Sequence, residues 1–435
     1  MSKLSPSNHS GTSDNTGTSQ SGGTLSARAD LAWLAGMSAS LFLILLSSSS
    51  YVASLPFIRE AWGLNNTQSG VIFSSYLAGY AISSLLLVPF TDRFNPIRIL
   101  FIGVVLTASS GLLFPKLAEG LWSACLLRFA YGVGHVCVYI TGIRLASHRF
   151  AGRSRATAVS VFVGSGYAGT TVSYVFMGIL LDWLDGWEPA FLSTTLPGLA
   201  SVVIVAILSS GRSARPPHEE SRHGNRGWLS LAPLRDRRLM LVIMAYALHT
   251  AELFVARLWL PLLLVAALMM TGFDSEVAAS RAATLAGFMF MTGIFSVLLG
   301  GWMSDRFGRN RTATLIFTVS GICSFLAGWL VGLPIAWLIA LGFLYGFFTA
   351  ADSAIYSTAV TELAPRNLVG SAQAVQSFIG FVVGTGAPVV AGSILDLSGG
   401  PSAWILVFSF NGVLAVAGIA CLLWLRRIPT SSVTS

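Results

Sequence analysis

Three ionisable side chains, His249, Glu252 and Arg257, stand together in the stretch YALHTAELFVARLWLP, residues 246–261. The stretch lies in an apolar run from Leu239 to about Met270, long enough to cross a bilayer. A charge at the centre of a membrane helix costs about 2.5–3.5 kcal/mol on insertion scales, so such groups face a protein interior or a water-filled cavity. Arginine is a fixed cation that attracts an anion. A carboxylate or a histidine can take up and release a proton. The residue types therefore suit ion-coupled passage of a charged solute. Pro261 cannot donate to the carbonyl of Arg257, four residues back. That acceptor is left free beside the charge, and a bend is expected there, as in a discontinuous binding helix.

Two other apolar runs carry matching residues. In residues 119–142, Arg128, His135 and Tyr139 fall within about 20° of one helix face, with Gly132 and Gly142 close by. In residues 334–360, Tyr345, Thr349, Asp352 and Tyr356 fall within about 40° of one another. The reading assigns substrate binding to Arg128, Arg257, Tyr139, Tyr345 and Tyr356. It assigns proton handling to Glu252, Asp352, His135 and His249. The competing reading for each is structural: a packing histidine, an arginine bonded to backbone carbonyls, or an internal ion network. The functional reading requires the three runs to meet at one wet space halfway through the lipid.

The remaining chain must position these groups. It is 54% hydrophobic and 10% charged, against about 25% charged in a soluble domain. This composition excludes a soluble enzyme. Twelve apolar runs have spanning length: 31–55, 67–90, 97–117, 119–142, 156–181, 189–210, 239–268, 282–303, 312–332, 334–360, 369–395 and 402–425. The expected organisation is a disordered tail (1–30), a six-helix bundle (31–210), a polar linker (211–238), a second bundle (239–427) and a short tail (428–435). The fold class is thus an all-α membrane protein of two pseudo-symmetric six-helix bundles. Of the 26 Lys and Arg, 21 fall in alternate segments that include both tails. That bias places both termini in the cytoplasm, with the bacterial inner membrane as the setting. The basic residues are spread between apolar runs, not gathered on one patch, so the net charge of +8 does not imply nucleic acid. No metal-ligand spacing, nucleophile constellation or cofactor motif is found, and a monomer suffices. Gly164–Gly169 imitates a dinucleotide loop but lies mid-membrane without a strand, so close helix packing explains it.

The halves repeat. LLLVPFTDRFNPIR, with Asp92 and Arg93, matches LLGGWMSDRFGRNR, with Asp305 and Arg306, 213 residues on. Phe129–Gly132 matches Phe343–Gly346, and the ending GILLD at Asp182 matches GSILD at Asp396, both 214 apart. Parallel repeats of this kind build carriers. The loop Gly301-Trp-Met-Ser-Asp305-Arg306-Phe-Gly308-Arg309-Asn-Arg311 resembles the signature after the second and eighth helices of the major facilitator superfamily. Leu127-Arg128 followed by Gly132 and Gly134 is similar to that family's fourth-helix motif. DRFNPIRIL, the His249–Trp259 stretch and AADSAIYSTAVTELAP look like a little-characterised prokaryotic branch loosely labelled nitrate- or cyanate-transporter-like. The resemblance covers about residues 31–427. Nitrate carriers of the family use arginines in helices two and eight; the second helix here has none, and the eighth has only Arg281 at its outer edge.

The resemblance implies alternating access between two bundles. It makes Asp92, Arg93, Arg98, Asp305, Arg306, Gly308 and Arg309 candidates for a gate that latches one bundle to the other, with Gly308 permitting the tight turn. In anion–proton symporters of the family, a fourth-helix arginine is followed seven residues later by a titrating carboxylate. Arg128 and His135 resemble that spacing, with histidine in the acid's place. The expected function is proton-coupled uptake of a small anion. The alternatives are proton-antiport efflux of a drug-like or cationic metabolite, and a non-transporting membrane protein on a carrier fold.

Overall fold

The computed structural model describes residues 19–150, 153–210, 230–365 and 368–428; side chains are described for all of these except 19–27, 88–93, Arg153 and Ala156. Among the described residues the chain is helical throughout, with no strand. The twelve spans are, in order, Ser19–Leu45 continuing through short helices Ser50–Ala53 and Leu55–Trp62; Asn66–Arg93; Pro96–Leu117; Leu121–Arg149; Arg153–Trp183; Trp187–Thr195 with Pro197–Ser210; Arg237–Met270; Ser275–Phe307; Arg309–Ala327; Ile335–Ala351 with Ser353–Leu363; Val369–Ser398; and Ser402–Arg427. Eleven are long and apolar enough to cross a membrane. The fifth is 31 residues long, richer in Ser, Thr and Gly, and packs between the first and eighth.

Helix starts follow from capping residues. The side chain of Asn95 accepts from Ile97 N–H ahead of a Pro96 first position. Asp236 accepts from Arg238 and Leu239 at the seventh span, and Asp274 from Val277 at the eighth. Two expectations need correction. The first span begins at Ser19, where the sequence suggested a disordered tail to residue 30. An ion pair from Arg149 Nε to Asp30 Oδ1 at 2.8 Å, with Arg149 also over the Trp33 ring, ties this end down. The seventh span is one unbroken helix through Pro261. The interruptions lie elsewhere: in the first span at 46–49 and Ser54, in the sixth at Leu196, and in the tenth at Asp352 itself.

The repeat in the sequence is a repeat in space. A Cβ on Gly132 would fall on the carbonyl oxygen of Tyr76 in the second span; one on Gly346 would fall on that of Met289 in the eighth. Tyr76 and Met289 are themselves 213 residues apart. The halves meet through the second span against the eleventh and the fifth against the eighth. The closest approaches lie toward the face opposite the termini, where Gly70 faces the backbone of Pro388, and Gly178 the backbone of Ser280. On that face Asp396, from the second half, caps the second span of the first half. It accepts from Asn66 N (2.9 Å), Asn66 Nδ2 (2.7 Å), Thr67 N (2.8 Å) and Thr67 Oγ1 (2.6 Å). A carboxylate at a helix N-terminus satisfies orphan N–H groups and complements the helix dipole.

This contact must break before the face can open. Asp396→Ala is expected to raise, by about tenfold, the rate at which an impermeant maleimide labels a cysteine placed at Ser280. Tenfold corresponds to about 1.4 kcal/mol, within the value of one hydrogen bond to a charged group. The measurement needs a background lacking the four native cysteines. Unchanged labelling would show that the carboxylate does not hold this face shut.

Candidate functional site

Arg128 lies in the fourth span with 3% exposure. Its guanidinium sits 5.0 Å from the Tyr76 ring, 5.3 Å from Tyr51 and 5.7 Å from Tyr131. One hydrogen bond is made among the described residues, from Nη1 to Ser48 O at 3.4 Å. Ser48 belongs to the interrupted turn of the first span, which explains its available carbonyl. A guanidinium has five N–H donors. Here Nε has no partner, and no carboxylate pairs with the group among the described residues. A buried cation with aromatic walls and free donors is prepared for an anion. The first span holds this box through Tyr131, whose hydroxyl donates to Ile44 O at 3.0 Å and lies 3.1 Å from Ser47 Oγ.

Glycine makes the box possible. Gly132 and Gly79 let the fourth and second spans touch backbone to backbone, bringing Tyr76 under Arg128. Gly132→Ala is therefore expected to cost about 1–3 kcal/mol as overpacking. It would also weaken ligand binding by displacing Tyr76. Thermal unfolding of purified protein checks the first effect; an unshifted midpoint would mean the spans are not held this closely.

Arg257 approaches from the other half. It lies 5.6 Å from the Tyr167 ring of the fifth span. The carbonyl that Pro261 frees accepts a 2.8 Å hydrogen bond from Tyr174 Oη, also of the fifth span. The acceptor expected from sequence is thus real, and a residue across the junction uses it. Arg257 does not pair with Glu252: the described carboxylate oxygen with a partner, Oε2, accepts from Ser320 Oγ at 3.1 Å. Arg128 lies over the Tyr76 ring, and Arg257 lies over the Tyr167 ring with its carbonyl bonded by Tyr174, so each half sets one arginine beside first-half tyrosines.

Toward the face that carries the termini the lining stays aromatic. Tyr76 Oη lies 2.7 Å from His135 Nδ1, so the histidine is linked to the arginine box through one tyrosine. His135 also contacts Tyr80 (5.4 Å) and Tyr139 (6.0 Å) ring to ring. Tyr80 stacks on Phe381 of the second half at 4.4 Å and 18°. Phe254 joins this layer, 5.7 Å from Phe381 and 6.3 Å from Phe73.

Glu252, His249, Asp352, Tyr345 and Tyr356 form a separate group inside the second half. His249 Nδ1 lies 3.2 Å from Asp352 Oδ1, and its Nε2 lies 3.0 Å from Ser353 Oγ. Asp352 falls at a one-residue turn between the two helices of the tenth span, and Tyr345, Asp352 and Tyr356 all turn toward the seventh span. Tyr345 Oη donates to Ser324 Oγ at 3.1 Å and accepts from Asn411 Nδ2 at 2.8 Å. Asn411 also reaches the Glu252 carbonyl. Tyr356 packs 5.4 Å from His249 and lines a 180 Å³ crevice with Arg238, Arg309 and Glu362. Of the five side chains expected to bind substrate, Arg128, Arg257 and Tyr139 lie at the junction, and Tyr345 and Tyr356 do not. Among the four expected to handle protons, His135 alone is at the junction. The single chamber uniting Arg128, Arg257, Glu252 and Asp352 is replaced by two neighbouring clusters.

The loop signature also works locally. Gly308 takes φ 91°, the positive value its turn requires. Arg309 binds Asp305, Ser304 Oγ at 2.6 Å and Glu362 Oε1 at 3.0 Å. Glu362 belongs to the tenth span, so these bonds pin the turn within the second half and do not bridge the halves. Arg98 and Arg306 are exposed. Asp92 and Arg93 end the second span, and their side chains lie outside the described ones. Tyr76, Tyr174, Asn411, Glu362 and the capping role of Asp396 were not singled out from the sequence. Tyrosine carries little insertion penalty and reads equally as core; the Asp182/Asp396 match was the one available hint.

Twelve helices in two repeated halves, with a polar site at their junction, define a membrane carrier. Comparison with known proteins agrees: residues 37–279 and 253–435 match the Major Facilitator Superfamily, and the chain belongs to that family. It is 24% identical over 402 residues to the hexuronate transporter of Bacillus subtilis strain 168, covering 88% of this chain and 92% of that one. It is 24% identical over 408 residues to the probable sulfoacetate transporter SauU of Cupriavidus necator, covering 89% and 92%. A bacterial homologue of the human lysosomal transporter Spinster, solved inward-facing and occupied, superposes with TM-score 0.72 at 14% identity, covering 91% of this chain and 96% of that structure. That likeness supports the fold.

Proposed function

We propose that the protein takes a small organic anion into the cell by alternating access, driven by protons. The observation that carries this reading is Arg128: a buried guanidinium with an unpaired Nε and no carboxylate partner among the described residues, with Arg257 of the second half set against first-half tyrosines. Two cations near one ligand favour an anion by Coulomb attraction where water is scarce. The relatives are named for hexuronate and sulfoacetate, both anions. A cation carrier would need its carboxylates at the junction, whereas Glu252 and Asp352 are buried inside the second half. Arg128, Arg257 and Tyr139 bind the solute. Glu252, Asp352 and His249 carry the proton; Tyr356, which packs on His249, lines the neighbouring crevice. The termini are cytoplasmic, so the face held by Asp396 is external. The chain acts as a monomer in the inner membrane. The test is uptake of labelled organic acids by proteoliposomes under an inward proton gradient. Gradient-stimulated accumulation of an acid is expected. Movement of an organic cation, with no acid transported, would overturn the proposal.

A further inference from the structure

A second polar site lies inside the second half, away from the junction. The crevice of about 180 Å³ opens between the seventh, ninth, tenth and twelfth spans, on the face that carries the termini. Its depth is apolar: Val242, Ala313, Ile355 and Leu422 are all buried. Arg238, Arg309 and Glu362 stand at its mouth. Arg309 is already satisfied, by Glu362 at 3.0 Å and by Asp305. Arg238 is not. Asp236 beside it accepts from its backbone N–H, but its buried side-chain Nε reaches no partner among the described residues. At the inner end Tyr356 is 1% exposed, and its hydroxyl likewise has no hydrogen-bond partner among the described residues. Two buried donors in one crevice thus lack an acceptor, which is costly unless a ligand supplies it.

The neighbours of the crevice mark its level in the bilayer. Trp424 is 51% exposed on the twelfth span, and the Arg237 guanidinium lies 4.6 Å from its ring. Arg426 and Arg427 close the same helix. Exposed tryptophan beside clustered arginine marks the headgroup layer. Basic pockets between membrane helices at that level hold anionic headgroups. The volume equals that of about six waters and is below the roughly 300–1,000 Å³ of a drug-sized site. It has room for a phosphate group whose attached chains stay outside. Leu363 and Leu425, partly exposed at the rim, give those chains an apolar surface.

We propose that this crevice binds the phosphate headgroup of an anionic lipid, held by Arg238 and Tyr356, and that the lipid steadies the buried His249–Asp352 pair. Helix Ser353–Leu363, which follows the Asp352 turn, supplies Ile355, Tyr356 and Glu362 to the crevice. Its first residue, Ser353, has Oγ 3.0 Å from His249 Nε2, and Asp352 Oδ1 lies 3.2 Å from His249 Nδ1. A headgroup bonded to Tyr356 fixes the segment that carries both contacts. Arg128 and Arg257 stand outside this crevice, so failure of the lipid site leaves the anion reading untouched.

The test is thermal unfolding of the purified full-length protein with three probes: short-chain phosphatidylglycerol, short-chain phosphatidylcholine and inorganic phosphate. A ligand that binds the folded state raises the unfolding temperature according to its affinity. Phosphatidylglycerol is expected to act at a concentration about tenfold or more below the other two. Arg238→Gln should remove that difference, since one hydrogen bond to a charged group carries about that factor. Arg235→Gln deletes the same charge from an exposed position three residues earlier and should preserve it. Tyr356→Phe keeps the ring and removes only the hydroxyl; it should weaken the response severalfold, and it tests the site should the arginine variant fail to fold. Deuterium uptake over residues 353–363 should fall with phosphatidylglycerol and not with phosphatidylcholine. Equal stabilisation by phosphatidylcholine, or equal losses in Arg235→Gln and Arg238→Gln, would reduce the effect to surface charge and overturn the site. Inorganic phosphate as effective as phosphatidylglycerol would overturn the lipid as its occupant. Unchanged deuterium uptake would overturn the link to His249.

Discussion

Arg257→Gln is expected to lower the affinity for the transported anion by roughly 10- to 150-fold with little loss of thermal stability. A hydrogen bond to a charged group is worth about 1.5–3 kcal/mol, which sets that range. Stability should hold because the structural bond at this position is made by the backbone: Tyr174 Oη donates to the Arg257 carbonyl, and glutamine keeps the carbonyl. Arg257→Lys retains the charge but loses the planar fork, so its affinity should fall between the two. Arg128→Gln should weaken binding at least as much, and it should also lower stability, because Arg128 donates to Ser48 O in the interrupted first span. Equilibrium binding by purified protein, beside a melting curve, separates these outcomes. Unchanged binding in Arg257→Gln would remove the second cation from the site.

The second large effect concerns coupling. Glu252→Gln is expected to abolish accumulation driven by a proton gradient while sparing solute exchange across an equilibrated membrane. Glu252 is fully buried; Oε2 accepts from Ser320 Oγ, and Oε1 has no partner among the described residues. Asp352 lies within its field, and Asp352 pairs with His249. Two carboxylates and one imidazole buried together gain or lose protons as a set, since an unbalanced buried charge is costly. Glutamine preserves shape and the bond from Ser320 but cannot exchange a proton. One pH unit can sustain about tenfold accumulation in a one-to-one symporter, because 1.4 kcal/mol is a factor of ten. The variant should lose that factor and keep its exchange rate. Gradient-driven accumulation in Glu252→Gln equal to the unsubstituted protein would place coupling elsewhere.

Much of the architecture was legible because the membrane enforces it. Long apolar runs located the spans, and matched segments near one offset located the repeat. The Gly132 and Gly346 contacts show why the second of those anchors recurs: each glycine permits the same close crossing. The interruptions were not legible. The first span breaks at a serine run and the tenth at Asp352, without proline or glycine at either break. The seventh contains Pro261 and runs on unbroken, and a tyrosine 83 residues earlier meets the freed carbonyl. Helical phase grouped Arg128, His135 and Tyr139, which the structure links through Tyr76 and ring contacts. It also grouped Tyr345, Asp352 and Tyr356, which gather around Glu252 and His249. It held no information on whether the two groups meet. Partners that come from distant spans leave no local signal. Asn411 beneath Tyr345, Glu362 at Arg309 and Tyr76 at Arg128 emerge only once the helices are packed.

The most direct measurement is isothermal titration of the purified carrier with an organic carboxylate and with its uncharged carboxamide, matched in size. A junction walled by tyrosines and commanded by Arg128 and Arg257 should bind the acid at least tenfold more tightly, and the difference should vanish when both arginines are replaced by glutamine. Equal affinity for acid and amide in the unsubstituted protein would contradict an anion site at the meeting of the two halves.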